Sequence, residues 1–418
     1  MMDLSRESME KIYQPQSIES IVFGKHRDRG VHTVNSPETA FAVRGSMMPT
    51  RINQRPTQRQ IAAQVGVSVT TVSRILNPDE SHPERWASPE TVTAIQQAAA
   101  QLGYRHNALA VSLRTSRSQT VGVLLPVVGD FVTASIYSGI DDVAREHNMT
   151  ALTASTLDEP VLRAERTFSL LDHLVDGVIF ADAHLDEDFL DSLASQCVPF
   201  TLVHRRHPDH VCVTADDVAA GRLAAQHLIG LGRQRMAVIS GPRFMSTGVD
   251  RSQGFIDAVA EAGLPAPTVF DSDLNVQAGS DAMRAMLASP PYPDAIFAVH
   301  DAAALGVMSV LRHVGLSVPD DVAVVGFYDT PMSSAMELTS ISVDLNAMGR
   351  RALELLLARL SDQQIESEVC PVTLTVRRST DPSLPSEAHD STAQPVTSTV
   401  RRAPRPDVSS PQRANRAL

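Results

Sequence analysis

The sequence predicts an α/β protein in which a small all-helical N-terminal module precedes a core of two subdomains with parallel sheets. Three observations carry that prediction. From 119 to 378, apolar strand-like runs (TVGVLLP, DGVIF, PFTLV, MAVIS, DAIFAV, VAVVGF) alternate with helix-length amphipathic segments. Continuous apolar strands alternating with helices form parallel sheets covered on both faces. Roughly ten such strands are too many for one small sheet, so two subdomains are expected. Residues 57–103, by contrast, show three helical patterns and no strand signal.

The helical module is legible residue by residue. Ile61, Ala62 and Val65 form an apolar stripe that stops at Gly66, which can take the left-handed conformation that closes a helix. Ser68 stands where an N-cap hydroxyl satisfies the free amides of a second helix. On that helix Val72, Ile75 and Leu76 share one face, and Val69, Thr70, Ser73 and Arg74 share the other. Two short helices around a tight Gly-containing turn make a helix-turn-helix, whose second helix fits the DNA major groove. A third helix follows Ser88-Pro89-Glu90, an N-cap with proline at the first helical position. It runs through Val92, Ile95 and Leu102 to Gly103. Between the second and third helices lies a polar loop, PDESHPERWA, with the chain's one tryptophan, Trp86.

Charge is consistent with this division. The 418-residue chain has a net charge of -12, which argues against a nonspecific polyanion binder. Between 51 and 118, however, eight arginines (51, 55, 59, 74, 85, 105, 114, 117) face four acids (79, 80, 84, 90), a local nucleic-acid footprint. Cys197, Cys212 and Cys370 lack zinc-ligand spacing and suit a reducing cytosol. No apolar run reaches the ~18 residues of a membrane span, and MMDLSRESMEK lacks the apolar centre of a signal peptide. A soluble cytoplasmic protein is expected, with no membrane partner. Residues 1–55 are expected to be a disordered extension, with translation starting at Met47, and the Pro/Ser/Thr-rich stretch 379–418 a disordered tail.

QIAAQVGVSVTTVSRILN, LGYRHNALAVSLRTSRSQTVGVLLP, VDRSQGF, FAVHDAAALGVM, VAVVGFYDT and LTSISVDLNAMGRRA occur in this order. Over about 56–378 the chain thereby resembles the LacI/GalR family of bacterial transcription regulators. The resemblance implies a helix-turn-helix domain at 56–106, a hinge helix at 107–118 and a periplasmic-binding-protein-like effector and dimerisation core at 119–378. It implies a homodimer, with a tetramer left open, on a near-palindromic double-stranded operator. Val69 and Thr70 match the family's main base-reading positions; Val69 can pack on a thymine methyl, and Arg74 can meet guanine O6 and N7 bidentately. Thr57, Ser68, Thr71, Ser73, Asn77, Tyr104 and Asn107 complete the implied DNA-facing set. Leu113 occupies the position of the leucine wedge that kinks DNA from the minor groove. The chain departs from the family at His106, where proline is usual, at Gln58, where an apolar residue is common, and in a longer loop around Trp86.

The same resemblance implies a small polar effector, a sugar or sugar derivative, held by Arg251 and Asp301. A guanidinium fork and a carboxylate each suit vicinal hydroxyls. Asp301 also reads as an N-cap, Asp344 has the same dual reading, and Arg251 also reads as a surface ion-pair former. Asp130, Phe131 and Tyr328 are expected near the pocket, with His204 or Arg205 touching the effector. His204, His207 and His210 sit three apart, but Pro208 forbids a continuous helix and neither a cysteine nor an acid completes a tetrahedral set, so no metal is expected. No cofactor is expected. An enzyme is the poorest reading, because no GxSxG elbow, phosphate-cradling glycine loop or zinc motif is present. A free solute-binding protein of transport would leave residues 57–115 without purpose.

Overall fold

The computed structural model describes residues 56–77, 82–104 and 117–385. Asn107, Leu113 and His106, nearly all of the expected hinge helix, residues 1–55 and most of the expected tail lie outside the described residues. The chain divides into two compact units between Arg105 and His106.

In the first unit, α1 (Gln58–Val65), α2 (Val69–Ile75) and α3 (Pro89–Leu102) pack around Ile61, Val72 and Ile95, all fully buried. Local chemistry sets each boundary. Thr57 and Gln60 form a capping box at the start of α1, and Gly66 closes it in the left-handed region (φ 77°, ψ 32°). Ser68 caps α2 and Ser88 caps α3, each accepting a backbone N–H from three residues on. Gln58, where an apolar residue is common in the family, is half-buried at the first turn.

The second unit has two doubly wound halves. The first sheet contains β1 (Thr120–Leu125), β2 (Thr150–Ser155), β3 (Gly177–Phe180), β4 (Phe200–Val203), β5 (Cys212–Ala215) and β11 (Glu368–Cys370). Its order is β11-β5-β4-β3-β1-β2, and every pairing is parallel. The second sheet contains β6 (Met236–Ser240), β7 (Thr268–Asp271), β8 (Ala295–Ala298), β9 (Ala323–Phe327), β10 (Thr339–Ser342) and β12 (Thr373–Thr375). Its order is β12-β10-β9-β8-β6-β7, with β12 alone antiparallel. In both halves the strand order reverses beside the first strand. Such folds bind ligands outside the carboxyl ends of the strands at that reversal.

The chain passes between halves after β5, after β10 and between β11 and β12. The helices that follow the first two passages pack tightly: α7 (Asp217–Gly230) on α8 (Ser246–Glu261), and α12 (Leu345–Leu360) on α4 (Phe131–Glu146). Glycines permit both contacts. A Cβ on Gly221 would lie 1.9 Å from the Arg251 carbonyl oxygen, and one on Gly349 2.0 Å from that of Ile136.

Two boundaries differ from the sequence reading. Ser379 and Thr380 are buried: Ser379 Oγ donates to the Val324 carbonyl at 2.6 Å and accepts the Thr339 N–H at 2.8 Å. The described second half therefore runs to residue 385, and the tail does not begin at 379. At the other end, Ser118 is fixed to Asp176 (N–H to Oδ1, 2.6 Å) and Arg117 donates to the Leu360 carbonyl at 2.7 Å. Residues 117 and 118 thus belong to the core rather than the hinge.

Candidate functional site

The second helix of the first unit divides as its periodicity requires. Val72 and Ile75 are buried, while Val69, Thr70, Ser73 and Arg74 face outward, Val69 with 40% of its surface exposed. Ser68 and Thr71 are occupied with capping: Ser68 Oγ accepts the Thr71 N–H at 3.0 Å, and the two hydroxyls lie 2.8 Å apart. Thr57 is likewise held by Gln60. Asn77 is half-buried just beyond the helix, and Tyr104 packs on the helical core. The structure adds a residue that sequence reasoning left in the loop. Arg74 Cζ lies 3.9 Å from the centroid of the Trp86 ring.

In the second unit the functional candidates gather where the halves meet, at carboxyl ends of strands. His204 follows β4 in a left-handed conformation (φ 71°). Its Nε2 lies 2.6 Å from the Tyr328 hydroxyl, which follows β9 in the other half. Both are buried. Burial, reinforced by Arg205 and Arg251, holds the His204 pKa well below the usual range, so the ring is neutral. His300, whose ring packs on Tyr328, is lowered to about 4 by burial and then by Arg251. Arg206 clamps the halves further, pairing bidentately with Asp250 at 2.7 Å for both contacts.

Arg251 is fully buried on α8, which excludes the surface ion-pair reading. Its Nε donates to Asp217 Oδ1 (2.7 Å), its Nη1 donates to the Val299 carbonyl (2.8 Å), and its flat face lies over Phe327 (3.5 Å) and Tyr328 (4.6 Å). Asp217 opens α7; burial outweighs Arg251 and raises its pKa to about 6. Arg205 forks onto Asp158 at 2.6 and 2.9 Å. Burial raises the Asp158 pKa, but the nearby His184 ring, with Nε2 3.8 Å from Oδ1, and the Arg205 fork outweigh it and hold the carboxyl well below its usual range. Polar atoms of this cluster are buried without a protein partner: His184 Nε2, His204 Nδ1, Arg205 Nε and Arg251 Nη2; so is Ser252 Oγ, next to Arg251 along α8.

Asp130 and Phe131 begin α4 beside β1. Asp130 is half-buried, which raises its pKa, and its side chain makes no capping bond; Phe131 is exposed. Two other expectations need correction. Asp301 is not an N-cap, since His300 caps the helix α10 (Asp301–Val314) through Nδ1, 3.0 Å from the Ala302 N–H. The Asp301 carboxylate is fully buried and accepts from the Thr330 N–H (2.8 Å) and Ser340 Oγ (2.6 Å), fixing the segment that carries Tyr328. Asp344 is an exposed N-cap of α12, accepting the Ala347 N–H at 2.9 Å. Nor are the spaced histidines without an acid, as their sequence suggested. His204 turns to Tyr328, whereas His207 and His210 gather with Asp191, whose Oδ1 lies 2.8 Å from His210 Nε2.

Sequence reasoning missed Asp158, Asp217, Ser252 and His300. A signal existed for two of them, because Asp217 and His300 each follow a buried apolar strand within two residues.

Comparison with known proteins agrees with this architecture. Residues 57–107 match the model of bacterial regulatory proteins of the lacI family, and 225–380 match a periplasmic binding protein-like domain. The chain is 32% identical over 329 residues to the HTH-type transcriptional regulator CelR of Thermobifida fusca, covering 75% of this chain and 94% of that protein. A solved structure described as a transcriptional regulator CelR-cellobiose complex shares 30% identity at a TM-score of 0.59, covering 78% of this chain and all of the other. The lac repressor dimer bound to operator and an anti-inducer superposes with a TM-score of 0.72 at 24% identity, over 78% of this chain and 99% of its own, a likeness of fold. The chain belongs to the lacI family of bacterial regulatory proteins.

Proposed function

We propose that this protein is a transcriptional repressor that reads an operator through α2 and leaves it when a small polar effector, a sugar or sugar derivative, occupies the cleft between the halves of the core. It acts as a homodimer in the cytoplasm. One observation carries the effector reading: His204 Nδ1, Arg205 Nε and Arg251 Nη2, on residues at or beside the His204–Tyr328 bridge, are buried without protein partners. Buried polar groups are nearly always paired, and a polyhydroxylated ligand supplies the hydrogen-bonding atoms these lack. The cellobiose complex of the relative makes cellobiose the first sugar to try.

Coupling follows from linkage. A ligand shifts an equilibrium only by its differential affinity for the two states, so a tenfold loss of operator affinity needs ~1.4 kcal/mol of preference for the released form. The bridge between His204 and Tyr328 is the contact at which that preference would be exerted. Arg251 Nη2, Arg205 Nε and Ser252 Oγ are the effector-facing atoms of this reading, with Asp130 and Phe131 at the rim; Asp301 fixes the segment that carries Tyr328, and Asp344 serves as the exposed N-cap of α12. Selection of genomic fragments by the purified chain at physiological salt tests the DNA side. Enrichment of a short palindrome is expected, and its neighbouring genes name the effector class; enrichment of AT content or ends without a palindrome contradicts a dimeric reader.

A further inference from the structure

Arg74 and Trp86 come from different elements. Arg74 lies in the last turn of α2, and Trp86 follows the short 3-10 turn Pro83–Arg85. Both side chains reach solvent, Trp86 with 41% of its surface exposed, yet the guanidinium carbon sits 3.9 Å from the indole centroid. That distance is well inside the range of cation–π attraction, for which tryptophan is the best partner. The two kinds of contact use different parts of the guanidinium. Stacking takes its flat face, while its five N–H donors point outward in the plane. Trp86 therefore holds Arg74 without consuming the fork that a guanine O6/N7 pair would accept. An arginine held this way has already lost the rotamer freedom that docking otherwise removes.

We propose that Trp86 is a positioning residue for base reading: the turn Pro83–Arg85 is followed by an indole that packs on Arg74, so that the guanidinium meets the major groove with its edge pre-aimed. This rests on the reading of α2 as the DNA-reading helix. Trp86, in a loop longer than the family pattern, then acts as a second determinant of operator choice.

Trp86 is the only tryptophan in the chain, so tryptophan emission reports on the surroundings of this one residue, Arg74 among them. The full chain is compared with Trp86→Ala, Trp86→Phe, Arg74→Ala and the double alanine variant, on a selected operator and on a scrambled duplex at one salt concentration. Arg74→Ala is expected to shift the emission of the free protein. Trp86→Ala is expected to weaken operator binding by about two- to fivefold, the range for an exposed cation–π contact, and to leave scrambled-duplex binding unchanged. Trp86→Phe should recover most of that loss, and the double variant should be no worse than Arg74→Ala. Equal losses on both duplexes, or losses of the two single variants that add in the double, overturn the proposal. If Arg74→Ala itself leaves discrimination between the duplexes intact, the reading of α2 fails first, and the positioning role with it.

Discussion

Removing Arg251 tests the cleft most severely, because this side chain is tied to three things at once. Arg251→Ala strands Asp217, a fully buried carboxyl whose ionised form is held chiefly by Arg251 and whose pKa already stands at about 6. Breaking a buried pair from one side costs about 3–5 kcal/mol, against total stabilities of about 5–15 kcal/mol for a domain. The lost bond to the Val299 carbonyl adds roughly 1 kcal/mol. The single variant is therefore expected to fold poorly, and a missing effector response in it would prove nothing about contact. The companion Arg251→Met/Asp217→Leu replaces both charges by apolar groups of similar volume, an exchange that is often neutral or stabilising. Urea unfolding of both variants checks the energetics, and effector titration of the folded double variant checks the role. The expected result is a large loss in the single variant, recovery in the double, and no effector response in the double. A single variant that loses under about 1 kcal/mol refutes the pair as a buried, mutually dependent one; a double variant that still responds with wild-type affinity refutes Arg251 as an effector contact.

Gly221→Ala would place a Cβ 1.9 Å from the Arg251 carbonyl oxygen, so thermal unfolding should show a loss at or above the usual ~1–3 kcal/mol of overpacking; an unchanged melting temperature contradicts the close approach of α7 to α8. Tyr328→Phe removes the hydroxyl that meets His204 and leaves a buried ring nitrogen unpaired, so a loss of about 1–3 kcal/mol is expected in urea unfolding. No loss would mean that the bridge does not hold the halves. Because burial lowers His300 to about 4 from 6.5, its contribution is complete above pH 6.5 and disappears as pH falls towards 4, where the unfolded chain binds the extra proton. His300→Asn keeps a capping side chain and should flatten the stability–pH slope in that window; an identical slope shows that His300 is not buried neutral.

Much of this was legible in the sequence, for physical reasons that also mark where legibility stops. The caps Ser68, Ser88 and Gly103 and the stop at Gly66 act through neighbours three or four residues away, so spacing alone exposes them. The six apolar runs became β1, β3, β4, β6, β8 and β9 because strands buried on both faces carry an unbroken signal. The edge strands β2 and β7, with mostly exposed or half-buried residues, gave no such run, and β11 and β12 are three residues each. At the site, the motif around Arg251 was readable, but its dependence on Asp217 arises from a helix pairing 34 residues apart in the chain. For Asp301 the N-cap alternative to an effector contact fails because its true partners, Thr330 and Ser340, lie 29 and 39 residues away. Arg74 over Trp86 is likewise a tertiary fact.

The central claim is that one chain couples operator reading to occupancy of the cleft. The measurement that tests it most directly is operator affinity, at fixed salt, across a titration of cellobiose and of the sugars named by the operator's neighbouring genes, with sugar affinity measured in turn on free and operator-bound protein. The account predicts a sugar that weakens operator binding, and an operator that weakens sugar binding by the same factor. A sugar that saturates the protein yet leaves operator affinity where it was would contradict it.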